Sequence, residues 1–160
     1  MKNSSWKSVV QKSDELNATI KTLKQKMQEE LHPAFAAFVQ ENPDVVAVKW
    51  TQYTPYFNDG DTCYFRANEP YFKFKGMPEE MGYNEDGFVE LPHTYGYSNQ
   101  YNEEEYTSIW NNVNKTLYKN CKEFVSFLNN NEDALETIFG DHVEVTVTAE
   151  GVFVEEYDHE

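Results

Sequence analysis

Four histidines, two cysteines and 28 acidic residues are the groups in this 160-residue sequence from which catalytic or metal chemistry would have to be built. His32, His93, His142 and His159 are scattered, with no HExxH motif and no His/Cys spacing that could close a zinc site. No Gly-x-Ser-x-Gly elbow and no phosphate-cradling P-loop is present. Cys63 and Cys121 lie far apart in unlike surroundings, which predicts two reduced, mostly buried thiols and no disulfide or CxxC redox pair. Metal binding, a cofactor and metal-assisted catalysis are not expected. Two places keep some capacity for chemistry. Asp59 and Asp61, held by Gly60 after Asn58, put carboxylates at a turn tip where they can meet a cation or a basic group, although an EF-type loop needs more oxygen ligands and a distal Glu. His93, with Tyr95 and Tyr97, stands in a long loop and is the place to look for an enzymatic group or a ligand contact. Paired carboxylates identify nothing by themselves, because with so many acids pairs meet by chance, and a general acid also needs burial.

Charge is the stronger signal. The formal net charge is −15, from 28 acids against 13 bases. Residues 1–50 carry 6 acids and 7 bases, 51–100 carry 8 and 3, and 101–160 carry 14 and 3. A basic surface is what nucleic-acid binding requires, so direct nucleic-acid binding is excluded, and anionic membranes are repelled for the same reason. The acids cluster at Glu103, Glu104 and Glu105, at Glu132, Asp133 and Glu136, and at Glu150, Glu155, Glu156, Asp158 and Glu160. Gathered on one side, they would imitate nucleic acid or dock on a basic protein; spread out, they would only confer solubility.

The elements that must position these groups follow from periodicity. Trp6, Val9, Ser13, Leu16, Ile20, Leu23 and Met27 recur at alternating spacings of three and four, a narrow heptad-type helical seam. Lys7, Lys12, Lys21, Lys24 and Lys26 lie between them, and Ser4 or Ser5 can cap the start. The seam is expected to pack on the protein's own sheet or second helix, or alternatively on a second copy as a homodimer. His32-Pro33 predicts a break or kink, with a second short helix over 34–40. Residues 45–53, β-branched and aromatic, read as a strand. Asn58, Asp59, Gly60 and Asp61 form a turn, strand character resumes over 62–65, and an edge-like third strand covers 71–75 after Glu69-Pro70. Residues 76–102, broken by glycines and prolines but rich in aromatics, predict an ordered loop with a tight turn at Glu85-Asp86-Gly87. Asn102 and Glu105 have capping-box-like spacing, so a helix is expected over 103–129. A short helix follows over 132–139, capped by Asn131 and closed by Gly140, and alternation over 142–148 and 152–154 gives a terminal hairpin.

The densest segment is Trp50-Thr51-Gln52-Tyr53-Thr54-Pro55-Tyr56-Phe57-Asn58-Asp59-Gly60-Asp61-Thr62-Cys63-Tyr64-Phe65. It resembles a motif carried by scattered short, functionally uncharacterised proteins of bacteria and their phages. The resemblance covers about 16 residues and implies no activity. Taken from its residues, the run puts aromatics on both faces of a hairpin, an architectural role.

The fold class expected is α+β: an antiparallel sheet of four to five strands, with a long N-terminal helix and a second helix packed on one face. A single domain over 1–160 divides into a helical segment 1–42, a β meander 45–75, the ordered loop 76–102, helices over 103–140 and a hairpin over 142–157. No apolar run is long enough to cross a bilayer and Met1-Lys2-Asn3-Ser4-Ser5 opens no signal-peptide core, so a cytoplasmic protein is expected. The leading functional expectation is an acidic interaction protein, more a binder than an enzyme. It would inhibit or modulate a basic, nucleic-acid-handling or toxic protein, as a phage-encoded inhibitor or immunity-type protein does. The alternatives are a small-ligand domain with its pocket between the aromatic hairpin and the 76–102 loop, and a small hydrolase using His93 or Asp59 and Asp61.

Overall fold

A computed structural model describes residues 5–57, 59–78, 86–92, 95 and 113–158. Helix α1 spans Trp6–Glu41; strands β1 (Val45–Tyr53), β2 (Arg66–Ala67), β3 (Tyr71–Phe74) and β4 (Phe88–Glu90) follow. Helices α2 (Lys115–Asn130) and α3 (Glu132–Phe139) come next, and strands β5 (Val143–Thr148) and β6 (Gly151–Glu156) end the chain. The strands form one antiparallel sheet in the order β4-β3-β1-β5-β6, with β2 paired to the far end of β1. The expected α+β class is observed, with one more strand than the upper expectation.

Among the described residues the helices cover one face of the sheet and none lies on the other, the open face. From Val48 onward β1 alternates, sending Val48, Trp50 and Gln52 inward and Lys49, Thr51 and Tyr53 outward, as the period of two requires. Phe72 and Phe74 of β3, Val89 of β4 and Val145 and Val147 of β5 join the inward set. All the described helices lie against that side. Leu31, Phe35 and Val39 of α1, the stripe Leu117, Cys121, Phe124 and Leu128 of α2, and Leu135 and Phe139 of α3 complete one core. Phe35 sits at its centre, within 5.3 to 6.2 Å of the rings of Trp50, Phe124, Phe127 and Phe139.

Several expectations are corrected. Helix α1 does not stop at His32-Pro33 but runs through Pro33 to Glu41. Proline in a helix interior costs about 3 kcal/mol, whereas each large apolar side chain buried on the next turn returns about 1.5–3 kcal/mol. Leu31, Phe35 and Val39 are all buried, with Phe38 packed beside them, and Pro33 itself faces solvent. The seam from Trp6 to Leu23 is not packed on the sheet or on another helix: Trp6 remains 79% exposed, Leu16 59% and Leu23 59%. Ser5 caps this helix, its hydroxyl accepting from the Ser8 N–H at 3.2 Å.

Pairing after the Asp59-Gly60 turn resumes at Arg66–Ala67, not over 62–65. Asp59 and Gly60 both adopt positive φ, as the turn composition implied. β3 is an inner strand and not an edge, because β4 pairs with it inside what was expected to be loop. The helix expected over 103–129 is interrupted, since Asn114 is extended and its side chain accepts from Leu117 N–H at 2.8 Å, starting α2 at Lys115. The proposed start at Asn102 lies outside the described residues. Asn131 precedes α3 but does not cap it with its side chain, which donates to Phe127 O at 2.8 Å and so closes α2. The terminal hairpin and the closure of α3 by Gly140, whose N–H reaches Glu136 O at 2.9 Å, are as expected. Among the described residues no helix is long and apolar enough to cross a membrane.

Candidate functional site

The open face of the sheet carries a cleft of about 340 Å³. Its floor is β1, where Lys49, Thr51 and Tyr53 project away from the core. Strand register sets the neighbours: Tyr71 lies beside Lys49 on one side and Thr146 on the other, and Thr51 lies beside Glu144. Phe88 pairs with Lys73, while Asp86, Asn68, Glu69 and Tyr157 complete the rim. The cleft therefore lies between β1 and the beginning of β4, with Asp86 and Phe88 the described residues of the 76–102 stretch in its lining.

Lys49 is the one basic residue in the described lining. Its ammonium donates a hydrogen bond to Asp86 Oδ2 and stands 4.3 Å from the centre of the Phe88 ring. Lys73 approaches the same ring at 6.0 Å. A lysine held over an aromatic face and against a carboxylate is electrostatically satisfied and does not present a free positive charge. Burial by itself would raise the Asp86 carboxyl. The Lys49 hydrogen bond, the Phe88 N–H at 3.1 Å and the Lys49 charge outweigh it and hold the carboxyl below its ordinary range.

With Lys49 and Asp86 cancelling, Glu69 and Glu144 leave the lining negative. Glu144 also has Glu155 directly opposite it across the β5–β6 ladder. Like charges in that position cost about 0.2–1 kcal/mol and are relieved when a cation approaches both. Tyr53 and Tyr157 stack at 5.7 Å along the edge of the cleft, giving it an aromatic wall. Negative oxygens beside aromatic faces suit an organic cation, and a guanidinium best, because it can stack and donate hydrogen bonds to two carboxylates.

The segment from Trp50 to Tyr56 supports this site from behind. Gln52 is fully buried. Its amide donates to Leu135 O at 2.9 Å and Gly140 O at 2.8 Å, and its carbonyl accepts from Trp50 Nε1 at 3.0 Å. Thr54 donates through its N–H and its hydroxyl to the two oxygens of Asp141, at 2.7 and 2.8 Å, and Tyr56 stacks on His142 at 4.8 Å. The run ties β1 to α3 and to the terminal hairpin, the architectural part its composition suggested. Burial would raise the Asp141 carboxyl, but the Thr54 hydrogen bonds and the neighbouring His142 hold it below the usual carboxylate range.

The sequence candidates are dispersed. Glu132 is committed to structure, accepting from Ala67 N–H at 2.8 Å and Arg66 Nε at 3.3 Å. Asp133 and Glu136 are exposed on α3. Glu150 is in the β5–β6 turn, while Glu155 and Glu156 are at the other end of β6 and point to opposite faces; Asp158 follows, exposed. Asp59 and Asp61 are exposed in the turn. Tyr95 packs edge-on to Tyr118 at 5.5 Å and is not in the described lining of the cleft. Glu103, Glu104, Glu105, Asn58, His93 and Tyr97 lie outside the described residues. Lys49, Asp86, Glu144 and Tyr157 were not singled out from sequence; the available signal was Lys49 as the one charge inside the β1 pattern. Comparison of the chain with protein-family models, with curated proteins and with solved structures gives no match in any of the three.

Proposed function

We propose that the protein is a binding module whose open sheet face takes the positively charged side chains of a basic protein partner. The observation that carries this reading is the composition of the cleft: tyrosine walls and two carboxylates, Glu69 and Glu144, around a lysine already neutralised by Asp86. A net charge of −15 adds long-range attraction for such a partner and steers its approach, more strongly at low salt. The Glu144–Glu155 pair supports the same reading, because an arrangement unfavourable in the free protein becomes favourable beside a guanidinium. Proteins that handle nucleic acid carry surfaces built to meet phosphate, so inhibition or modulation of such a protein is the setting we extend the proposal to.

The test is binding of an arginine-rich peptide and its glutamate-rich counterpart, measured calorimetrically at two salt concentrations. The arginine peptide is expected to bind and to weaken as salt rises. Glu69→Gln with Glu144→Gln should weaken it about tenfold or more, while Asp133→Asn with Glu136→Gln should leave it within about twofold. Equal losses from the two double variants would remove the cleft from the account and leave only diffuse charge.

A second reading is favoured by one observation, the size of the cleft. About 340 Å³ falls at the lower end of the range for small-molecule sites, roughly 300–1,000 Å³. On this reading the occupant is a free organic ammonium or guanidinium. Thermal stabilisation by a small alkylammonium or guanidinium compound, with no response to the peptide, would select it.

A further inference from the structure

The N-terminal 25 residues of α1, over 6–30, form about seven helical turns, roughly 37 Å long, that the core does not cover. An isolated helix is marginal in water, and a solvent-facing one should be polar all round. This stretch instead holds Trp6, Val9, Leu16, Ile20 and Leu23 in one heptad seam, exposed from 39% to 79%. The apolar area left open is about 600 Å² per helix, and about 1,200 Å² for two, which reaches the lower bound of stable interfaces. Ile20 also faces Ile138 of α3 across a groove, so the seam passes close to the body without being covered by it.

We propose that this face is occupied by the same face of a second copy, as a parallel two-stranded coiled coil over 6–27. The flanking residues favour that occupant and that direction. With Trp6 at the first core position, Lys12, Thr19 and Lys26 fall on one flank, and Val10, Asn17 and Lys24 on the other. In parallel register each first-flank residue meets the second-flank residue five positions on in the other copy. Lys12 then meets Asn17 and Thr19 meets Lys24, while the position five on from Lys26 is Leu31, held in each copy's own core, so no lysine opposes a lysine. Antiparallel pairing of the same apolar positions sets Ser13 against Leu16, a hydroxyl against an apolar partner, which disfavours it. Ser13 at a core position fits two strands in register, where the two hydroxyls meet each other and not an apolar partner.

Sedimentation of the full chain over a concentration series tests the proposal. A reversible monomer–dimer equilibrium is expected. Leu16→Glu with Leu23→Glu should weaken it about 100-fold or more, with the core intact by near-ultraviolet circular dichroism because neither residue touches it. Ser13→Cys in a Cys63→Ser background should give a disulfide-linked dimer on mild oxidation, since parallel register sets this position against itself. A monomer at every concentration, a trimer, or a dimer indifferent to Leu16→Glu with Leu23→Glu overturns the proposal. A dimer sensitive to that variant but refractory to the Ser13→Cys cross-link overturns the parallel arrangement.

Discussion

At the scale of single residues, the most consequential side chain is one with no chemistry of its own. Gln52 is fully buried and satisfies three groups at once, the carbonyls of Leu135 and Gly140 and the indole N–H of Trp50. Removing it leaves those groups unpaired in the core, so Gln52→Ala is expected to cost about 2–4 kcal/mol in urea unfolding. Glu144 should behave oppositely. Glu144→Gln removes repulsion by Glu155 and is expected to stabilise the fold by up to about 1 kcal/mol while weakening the arginine peptide, the divergence of a group kept for binding. Asp141 gives a pH signature. Its folded carboxyl is held down by Thr54 and His142, so its contribution is complete above the unfolded value, about 3.9, and is lost as pH falls through the lower folded one. Asp141→Asn should therefore be less stable than the parent near neutrality, and the gap should narrow in acid. Cys121 is buried, and burial pushes its thiol up to about 12, so alkylation of the native protein should modify Cys63 and spare Cys121 until unfolding. The charged residues of the cleft were not legible as a group in the sequence. Lys49 and Asp86 are 37 positions apart and meet only because β1, β3 and β4 lie side by side in one register.

At the scale of elements, what could be read was set by local patterning. β1, β5 and β6 were legible because alternating β-branched residues state both the strand and its buried face, and Gly151 marks the turn. β4 was not, since a three-residue strand after Asp86-Gly87 offers too short a pattern and owes its existence to pairing with β3. The break before α2 was missed for a related reason. Val113 stays on the apolar stripe although it precedes the helix, so periodicity passes through the Asn114 cap without registering it. Pro33 misled in the other direction, because its local bias against helix is outweighed by anchoring of the next turn through Phe35 and Val39. Its ring is exposed and its missing N–H leaves one helical hydrogen bond unmade. Pro33→Ala should consequently stabilise the protein by about 1 kcal/mol or more in thermal unfolding, with helicity unchanged or raised.

At the scale of the whole molecule, charge and shape divide the work. The first 50 residues are close to neutral and supply a lysine-edged apolar helix, whereas the remainder carries nearly all of the negative charge. The carboxylates named from sequence do not form one patch: among the described residues they occupy α3, the β5–β6 turn and both faces of β6. A separate pair of carboxylates, Glu69 and Glu144, flanks a neutralised Lys49 on the open face of the sheet. In a parallel dimer two such faces would be carried on one stem, and a partner engaging both would gain avidity without any new contact. The most direct test of the cleft is amide and side-chain chemical-shift mapping during titration with the arginine-rich peptide. The account predicts the largest saturable changes at Lys49, Thr51, Tyr71, Phe88 and Glu144, fading as salt is added. Changes centred instead on Asp133, Glu136 and Glu150, or no saturable change at low salt, would contradict it.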